Sequence, residues 1–161
     1  MEINEIVENQ RAFFYSHKTQ SLAFRKEALI RLEKSIKQNR KEILEAFEKD
    51  FNKCEFDVLS TELFCVQNEI KYFKRRLKSL MCPKKVGTGP VNFFSRGRIF
   101  SNPRGVVLVV SPWNYPLQLT LVPLVGAIAA GNTVVVKPSS YSPNVSGVIK
   151  KILSVFEGGR E

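Results

Sequence analysis

The sequence lacks the long apolar runs and the paired cysteines that mark several large classes of protein. No stretch approaches the roughly 18 consecutive apolar residues that a membrane-spanning helix requires, since Gly, Pro and Asn interrupt the longest runs. The three cysteines, Cys54, Cys65 and Cys82, have no C-x-x-C spacing, which predicts reduced thiols with neither a disulfide framework nor a metal site. The first residues, MEINEIVENQR, lack the basic start and apolar core of a secretory signal, so we expect a cytoplasmic protein.

Acidic residues are scarce in the second half of the chain. The whole sequence carries a net charge of +10, and residues 81–161 hold 9 Lys and Arg but only 2 Asp and Glu. Five of these cations fall in one short stretch that also contains Phe93, Phe94 and Phe100: Lys84, Lys85, Arg96, Arg98 and Arg104. Such a stretch could bind nucleic acid by neutralising phosphates and stacking bases. Because no recognised nucleic-acid motif accompanies the charge, we favour a solvated segment whose acidic partners lie elsewhere.

Residues 1–82 have the pattern of a helical region. Helices are predicted from Ile3 to about Tyr15, from Ser21 to Phe51 with a break near Gln38 and Asn39, and from Phe56 to Met81. The last of these carries one apolar seam at steps of three and four: Leu59, Leu63, Val66, Ile70, Phe73, Leu77 and Leu80. The seam is too short for a long coiled coil and therefore indicates helices that pack within the chain.

Residues 83–104 form a second region, punctuated by glycine and proline. Short segments such as Val91–Phe94 and Arg98–Ser101 predict an extended basic arm or hairpin here.

Residues 105–161 alternate strand and helix patterns. Gly105–Val110 is an unbroken apolar run typical of a central strand buried on both faces, and Thr133–Val136 is a second such strand. Between them, a helix bent at Pro123 is predicted from Pro116 to Ala130, ended by left-handed residues at Gly131 and Asn132. Ser142 is the predicted cap of a last helix that begins at Pro143. This order predicts an α/β fold, in which the helical region is followed by an incomplete doubly wound, Rossmann-like parallel sheet.

Ligands of doubly wound sheets bind beyond the carboxyl ends of the strands. The two predicted strands end in the polar segments Ser111-Pro112-Trp113-Asn114 and Lys137-Pro138-Ser139-Ser140, which we therefore expect to meet at one site. Asn114 lies between two prolines, where its amide is either a rigid donor to an oxyanion or a turn residue bonded to local backbone. Lys137 either reaches a ribose hydroxyl or phosphate oxygen or extends into solvent, and Trp113 either walls a flat ligand or packs.

Three segments together resemble one enzyme family. Gly105-Val-Val-Leu-Val-Val-Ser-Pro-Trp-Asn-Tyr-Pro116, Leu124-Val-Gly-Ala-Ile-Ala-Ala-Gly-Asn132 and Val134-Val-Val-Lys-Pro-Ser139 are similar to the NAD(P)-dependent aldehyde dehydrogenase superfamily, most closely its class 3 or fatty aldehyde branch. The resemblance implies oxidation of an aldehyde to a carboxylic acid through a cysteine thiolate, with NAD or NADP as the cofactor.

The resemblance also assigns roles to individual residues. Asn114 matches the asparagine that stabilises the oxyanion. The residues implied to bind the cofactor are Ser111, Pro112, Trp113, Asn114, Lys137, Pro138, Ser139 and Ser140. Lys137 matches the lysine that contacts the adenosine ribose. Ser140 stands where many members carry a glutamate that disfavours a 2′-phosphate, so we expect NADP to be tolerated as well as NAD.

The family's glycine-rich phosphate turn, general base and nucleophilic cysteine are expected beyond Glu161, and none of the three cysteines matches the nucleophile. We therefore expect a truncated, N-terminal part of an aldehyde dehydrogenase that is inactive alone and forms a homodimer only when complete. The alternatives are a non-catalytic remnant that binds nucleotide or a partner, such as a C-terminal complement or full-length paralogue, and a basic nucleic-acid-binding module.

Overall fold

The computed structural model describes residues 2–92 and 94–159. Its helices are α1 (Ile3–Tyr15), α2 (Leu22–Gln38), α3 (Arg40–Phe51), α4 (Glu55–Asp57), α5 (Phe64–Met81), α6 (Pro116–Ala130) and α7 (Pro143–Leu153). Its strands are β1 (Lys84–Val86), β2 (Gly97–Ile99), β3 (Val106–Val110) and β4 (Thr133–Lys137). Short 3-10 segments cover Lys18–Gln20, Pro90–Asn92 and Ser154–Gly159.

The helical first region agrees with the sequence pattern. Helix α1 spans the predicted residues, and Asn39 separates α2 from α3 where the break is expected. The third predicted helix is present, but a π-helical turn at Val58–Leu63 joins α4 to α5. A π turn widens the helix by one residue per hydrogen-bonded ring and is frequent at functional sites.

The basic arm folds as a small antiparallel hairpin. Strand β1 pairs with β2 so that Lys85 lies opposite Arg98. The prediction of an extended segment at Val91–Phe94 is wrong. Pro90–Asn92 instead forms a 3-10 turn at the tip, closed by a 2.8 Å hydrogen bond from the Asn92 amide to the Gly89 carbonyl. Phe93 lies outside the described residues, as do Arg160 and Glu161 of the last region.

The β-α-β-α order of the last region is confirmed. Strands β3 and β4 are parallel, paired from Val106 with Thr133 to Val110 with Lys137, and α6 connects them. Gly131 ends α6 in the left-handed conformation, at φ 89°. Asn132 does not share that conformation. Its side-chain oxygen instead accepts hydrogen bonds from the amides of Arg104 (2.7 Å) and Gly105 (3.0 Å) and so joins the end of α6 to the start of β3.

The prediction that β3 is a central strand buried on both faces is wrong for this chain. Val109 is buried, but the side chains of Leu108 and Val110 on the other face are 62% and 61% exposed. The sheet has two strands over the described residues, and its helices leave that face of β3 open.

One apolar core joins the helical region to the sheet. Side chains from α2, α3, α5, α6 and α7 form it, including Leu29, Leu32, Phe47, Val66, Ile70, Leu117, Leu121 and Ile149. The core therefore fixes α6, and with it the loop between β3 and α6, against helices from the first half of the chain.

Helix α7 begins at the predicted residue but is capped differently. The Ser142 hydroxyl is buried and has no hydrogen-bond partner among the residues that the structure describes, so Ser142 is not the side-chain cap. Asp50 of α3 caps the helix instead, accepting from the amides of Asn144 (3.3 Å) and Val145 (2.9 Å). A carboxylate satisfies two free amides and also interacts favourably with the positive end of the helix dipole.

Candidate functional site

The two polar segments singled out in the sequence lie side by side in the structure. Val110 pairs with Lys137 at the last position of the parallel ladder, and the Ser111 amide donates a 3.2 Å hydrogen bond to the Lys137 carbonyl. The loop after β3 (residues 111–115) and the loop after β4 (residues 138–142) therefore leave the same edge of the sheet.

The loop after β3 is tied to α6 through Ser111. The Thr120 hydroxyl donates to the Pro116 carbonyl at 2.5 Å, so the Ser111 hydroxyl must be the donor in its own 2.6 Å bond to Thr120. Both hydroxyls are buried. Pro112, Trp113 and Asn114 follow on the surface, with the Trp113 side chain 54% exposed.

Asn114 differs from two other asparagines of the same region. Among the described residues its side-chain amide makes no hydrogen bond, whereas the amide nitrogens of Asn132 and Asn144 donate to the Ala127 carbonyl and to Asp50. An asparagine that serves a local turn bonds to nearby backbone. The structure therefore disfavours the turn role and leaves the Asn114 amide available to a ligand.

The loop after β4 presents two exposed and two less accessible residues. The Lys137 side chain is exposed, with no carboxylate within ion-pair distance in the described part of the chain, and Ser140, three residues later, is exposed as well. Pro138 is half-buried. Ser139 is buried: its hydroxyl accepts from the Tyr141 amide (3.2 Å), and its carbonyl accepts from the Ser146 hydroxyl (2.7 Å).

Both helix N-termini at this edge already hold a carboxylate from the helical region. Asp50 occupies that of α7, and Glu62 occupies that of α6 by accepting the Gln118 amide at 2.9 Å. A helix N-terminus is a ready site for phosphate. Because internal carboxylates fill both positions, a dinucleotide's phosphates would find neither of these two N-termini free.

Glu62 is fully buried and has one cation beside it. Lys53 Nζ lies 3.4 Å from Glu62 Oε1 and 4.8 Å from the centroid of the Tyr115 ring. Burial raises the pKa of Glu62 above its ordinary value of 4.5, and the Gln118 hydrogen bond and the Lys53 charge oppose that rise.

Sequence reasoning did not single out Glu62, Lys53 or Asp50. A signal existed for Glu62, since it lies three residues after Leu59 and four before Val66, on the apolar seam of its helix.

None of the three cysteines belongs to either loop. Cys54 precedes α4, Cys65 lies in α5 and Cys82 follows α5, all with free thiols. Over residues 2–92 and 94–159, no group of three or more His, Cys, Asp or Glu could hold a metal ion. Within the same ranges, no helix combines the length and apolarity needed to cross a bilayer.

A cavity of about 450 Å³ is separate from the site, since neither Asn114 nor Lys137 lines it. It lies among α1, α2, β4 and α7, and Pro138 is its one lining residue from the two polar segments. Val134, Val135 and Val136 all line it. Since consecutive strand residues face opposite sides of a sheet, this cavity follows the free edge of β4.

Comparison with known proteins places the chain in a family. The family model described as "Aldehyde dehydrogenase family" matches residues 1–157. The 4,4′-diaponeurosporen-aldehyde dehydrogenase of Staphylococcus aureus is 40% identical over 95% of this chain and 35% of its own length. The dimeric NADP-preferring aldehyde dehydrogenase of the dog, Canis lupus familiaris, is 38% identical over 96% of this chain and 34% of its own length.

Solved structures agree with these relatives. The substrate-bound state of Staphylococcus aureus AldH superposes with a TM-score of 0.92 and 39% identity, covering 94% of this chain and 33% of that one. The chain thus spans about a third of the length of the curated relatives it matches.

Proposed function

We propose, from the premise that this chain belongs to the aldehyde dehydrogenase family, that it is the N-terminal part of an enzyme that oxidises an aldehyde with NAD or NADP. The balanced reaction converts an aldehyde, water and the oxidised nicotinamide into a carboxylic acid, the reduced nicotinamide and a proton. The observation that carries the proposal is the Asn114 side-chain amide, which lies at the carboxyl end of β3 with no hydrogen bond to the described residues.

Asn114 supplies the oxyanion donor in this proposal. When a thiolate adds to an aldehyde carbonyl, negative charge develops on the carbonyl oxygen, and a preoriented N–H stabilises it. Pro112 and Pro116 restrict the backbone on either side, and the Ser111–Thr120 bond fixes the start of the loop. Since no cysteine lies in either loop, we expect no turnover from these 161 residues alone. The thiol and the general base would come from the remaining two thirds of a protein of the relatives' length.

The residues after β4 fit the ribose end of a nicotinamide dinucleotide. The cofactor, when bound, supplies the hydride acceptor. Lys137 is an exposed donor that no carboxylate of the described residues neutralises, and Ser140, three residues later, adds no negative charge. A 2′-phosphate would therefore meet attraction and no repulsion, so we propose that NADP is tolerated as well as NAD. The NADP preference of the canine relative is consistent with this.

The assembly and location of the complete protein are further parts of the proposal. The canine relative is described as dimeric, and we propose a homodimer for the complete enzyme. The three free thiols suit a reducing compartment, which supports the cytoplasm.

The experiment is a complementation assay. The chain is co-expressed with the remaining segment of a class 3 relative, and aldehyde-dependent formation of the reduced nicotinamide is followed by its absorbance. We expect Asn114→Ala to lower kcat by about 10²- to 10³-fold, the cost of removing one oxyanion donor. The matched control is Asn68→Ala, an exposed asparagine on α5, which should leave kcat unchanged.

Equal kcat for Asn114→Ala and the unchanged sequence in an active complex would contradict the role of Asn114. The same assay with NADP in place of NAD addresses the cofactor. A preference for NAD of roughly a hundredfold, equivalent to about 2.7 kcal/mol, would contradict NADP tolerance.

A further inference from the structure

An ion pair from the helical region, Glu62 with Lys53, contacts the end of the Asn114 loop and the start of α6. Glu62 is 0% exposed on the π turn, and its Oε2 accepts the amide of Gln118 in the first turn of α6. The Oε1 atom faces Lys53, whose side chain is 22% exposed and follows α3. The pair therefore connects two elements of the first half of the chain to the beginning of α6.

Lys53 also contacts the residue that follows Asn114. Its ammonium nitrogen lies 4.8 Å from the centroid of the Tyr115 ring and 5.6 Å from that of Phe47, within the range of a cation–π interaction. Besides Glu62, its polar neighbour is the Thr61 hydroxyl at 3.4 Å. Lys53 thus contacts Tyr115 of the loop as well as Glu62 and Phe47 of the helical region.

These contacts fix the second half of the loop as Ser111 fixes the first. The Ser111 hydroxyl ties the loop's first residue to Thr120, and Lys53 and Glu62 tie Tyr115 and Gln118. Asn114 lies between the two anchors and has no side-chain bond of its own within the described ranges. Its direction is therefore set by its neighbours.

The cost of burying the pair argues for a role beyond stability. Taking two charges out of water is expensive, and apolar residues of similar size are often no worse for stability. Among the described residues Glu62 is the only carboxylate with no exposed surface. An apolar side chain at position 62 would fill the space but could not accept the Gln118 amide or hold the Lys53 ammonium against Tyr115.

We propose that Glu62 and Lys53 are positioning residues that orient the loop 111–115, and through it the Asn114 amide, from the helical region. The catalytic consequence rests on the proposed function of Asn114; the orientation of the loop does not. Glu62 acts on α6 through the Gln118 amide, and Lys53 acts on the loop through the Tyr115 ring.

The single tryptophan of the chain, Trp113, makes this testable without cofactor or turnover. It lies inside the loop, next to Asn114, and is 54% exposed, so its emission and its quenching by acrylamide report on the loop alone. The variants are Glu62→Gln, which keeps the shape and removes the charge, and Lys53→Met, which keeps an apolar stem and removes the ammonium. Lys53→Arg is the conservative variant that retains the charge.

We expect Glu62→Gln and Lys53→Met each to shift Trp113 emission to longer wavelength and to increase its quenching. Lys53→Arg should retain the emission of the unchanged chain. The double variant should change the signal no more than either single variant, because both break the same pair. Exchange of the Gln118 amide should become about tenfold faster in Glu62→Gln, since a charged acceptor is replaced by a neutral one.

The matched control is Lys74→Met, which breaks another partly buried ion pair, that of Lys74 with Glu33 between α5 and α2. We expect it to leave Trp113 emission unchanged. The Val145 amide, held by Asp50, is the internal reference for exchange.

Unchanged Trp113 emission in a folded Lys53→Met or Glu62→Gln chain would overturn the proposal. So would an equal acceleration of exchange at Gln118 and Val145, which would indicate general loosening. If Glu62→Gln does not fold, Tyr115→Leu decides the matter: it removes the ring and keeps the ion pair, so Trp113 should respond while Gln118 exchange does not. A Tyr115→Leu chain in which Trp113 does not respond would also reject the proposal.

In the complemented enzyme, Lys53→Met should lower kcat with little change in cofactor KM, because the cofactor contacts after β4 are untouched. If Asn114→Ala lowers activity but Glu62→Gln and Lys53→Met leave Trp113 emission unchanged, this inference is rejected and the proposed function stands. If those two variants change Trp113 emission but Asn114→Ala leaves activity unchanged, the proposed function alone is rejected.

Discussion

Gly131 shows how one residue joins two parts of the chain. It ends α6 at φ 89°, a conformation that costs a residue with a side chain about 1–2 kcal/mol. Arg25 of α2 lies against the same glycine and donates to the Ala129 carbonyl (3.1 Å) and the Thr19 carbonyl (2.8 Å). A β-carbon at position 131 would overlap the Arg25 guanidinium. Glycine is therefore required here both by backbone conformation and by a cation packed at the carboxyl end of α6.

We expect Gly131→Ala to lower the free energy of unfolding by about 2 kcal/mol or more, because the left-handed strain and displacement of Arg25 act together. Urea unfolding followed by circular dichroism measures the change. Gly126→Ala, in the interior of α6 with no atom within 4 Å of the added carbon, should raise stability by about 0.5–1 kcal/mol. Equal effects of the two variants would contradict this account of Gly131.

At the level of elements, α6 and α7 begin in the same way. Each begins with a proline as its first residue, and each has its free amides satisfied by a carboxylate from the helical region. Glu62 serves α6 and Asp50 serves α7. The helices that flank the parallel strands thus depend on residues far away in sequence, which couples the helical region to the loops after β3 and β4.

We expect Asp50→Ala to destabilise the chain by about 0.5–2 kcal/mol, the usual cost of losing an N-terminal cap. Ser142→Ala, at the position where the sequence pattern predicts the cap, should cost little stability or increase it, because the buried Ser142 hydroxyl has no partner within the described ranges. Thermal unfolding of both variants checks the pair of outcomes. A larger loss for Ser142→Ala than for Asp50→Ala would refute the assignment of the cap.

Across the whole molecule, the parallel sheet leaves apolar surface uncovered. The face of β3 with Leu108 and Val110 is exposed, and a largely apolar cavity of about 450 Å³ follows the free edge of β4. Exposed apolar surface next to an unpaired strand edge favours association with other chains. Stability is accordingly carried by the core between the helical region, α6 and α7.

The pH dependence of folding is a property of the whole chain, and two carboxylates contribute to it with opposite sign. Burial raises the pKa of Glu62 above 4.5, so the native state binds the proton more tightly than the unfolded state does. Its favourable contribution is complete below about pH 4.5 and is lost as pH rises through the native pKa. Hydrogen bonding to Lys74 lowers the pKa of Glu33, so its contribution is present above pH 4.5 and is lost as pH falls.

We expect the stability difference between the unchanged chain and Glu62→Gln to decline as pH rises from about 4.5. The corresponding difference for Glu33→Gln should instead grow as pH rises to about 4.5 and then level off. Urea unfolding between pH 3.5 and about pH 8 measures both differences. A difference for Glu62→Gln that does not change with pH would show that burial leaves its proton affinity unaltered.

Local sequence pattern determined most of the elements. Apolar spacing placed α1, the break at Asn39 and α5, and the runs of valine placed β3 and β4. Their β-α-β order brought the segments after Val110 and Lys137 to one edge, because the carboxyl ends of neighbouring parallel strands coincide. The pattern is sufficient for these features because each depends on residues within one or two turns of helix or one strand.

Tertiary structure alone decided what surrounds the candidate site. The Glu62–Gln118 and Asp50–Val145 contacts join residues 56 and 95 positions apart, and local periodicity carries no information over such distances. Burial on the two faces of β3 was likewise misjudged, since a run of valines looks the same whether or not both faces are covered. The strand pattern was enough to predict where Asn114 and Lys137 lie on the sheet. The packing of the helical region decided which carboxylate and which lysine stand behind them, because burial and charge pairing are properties of the assembled core.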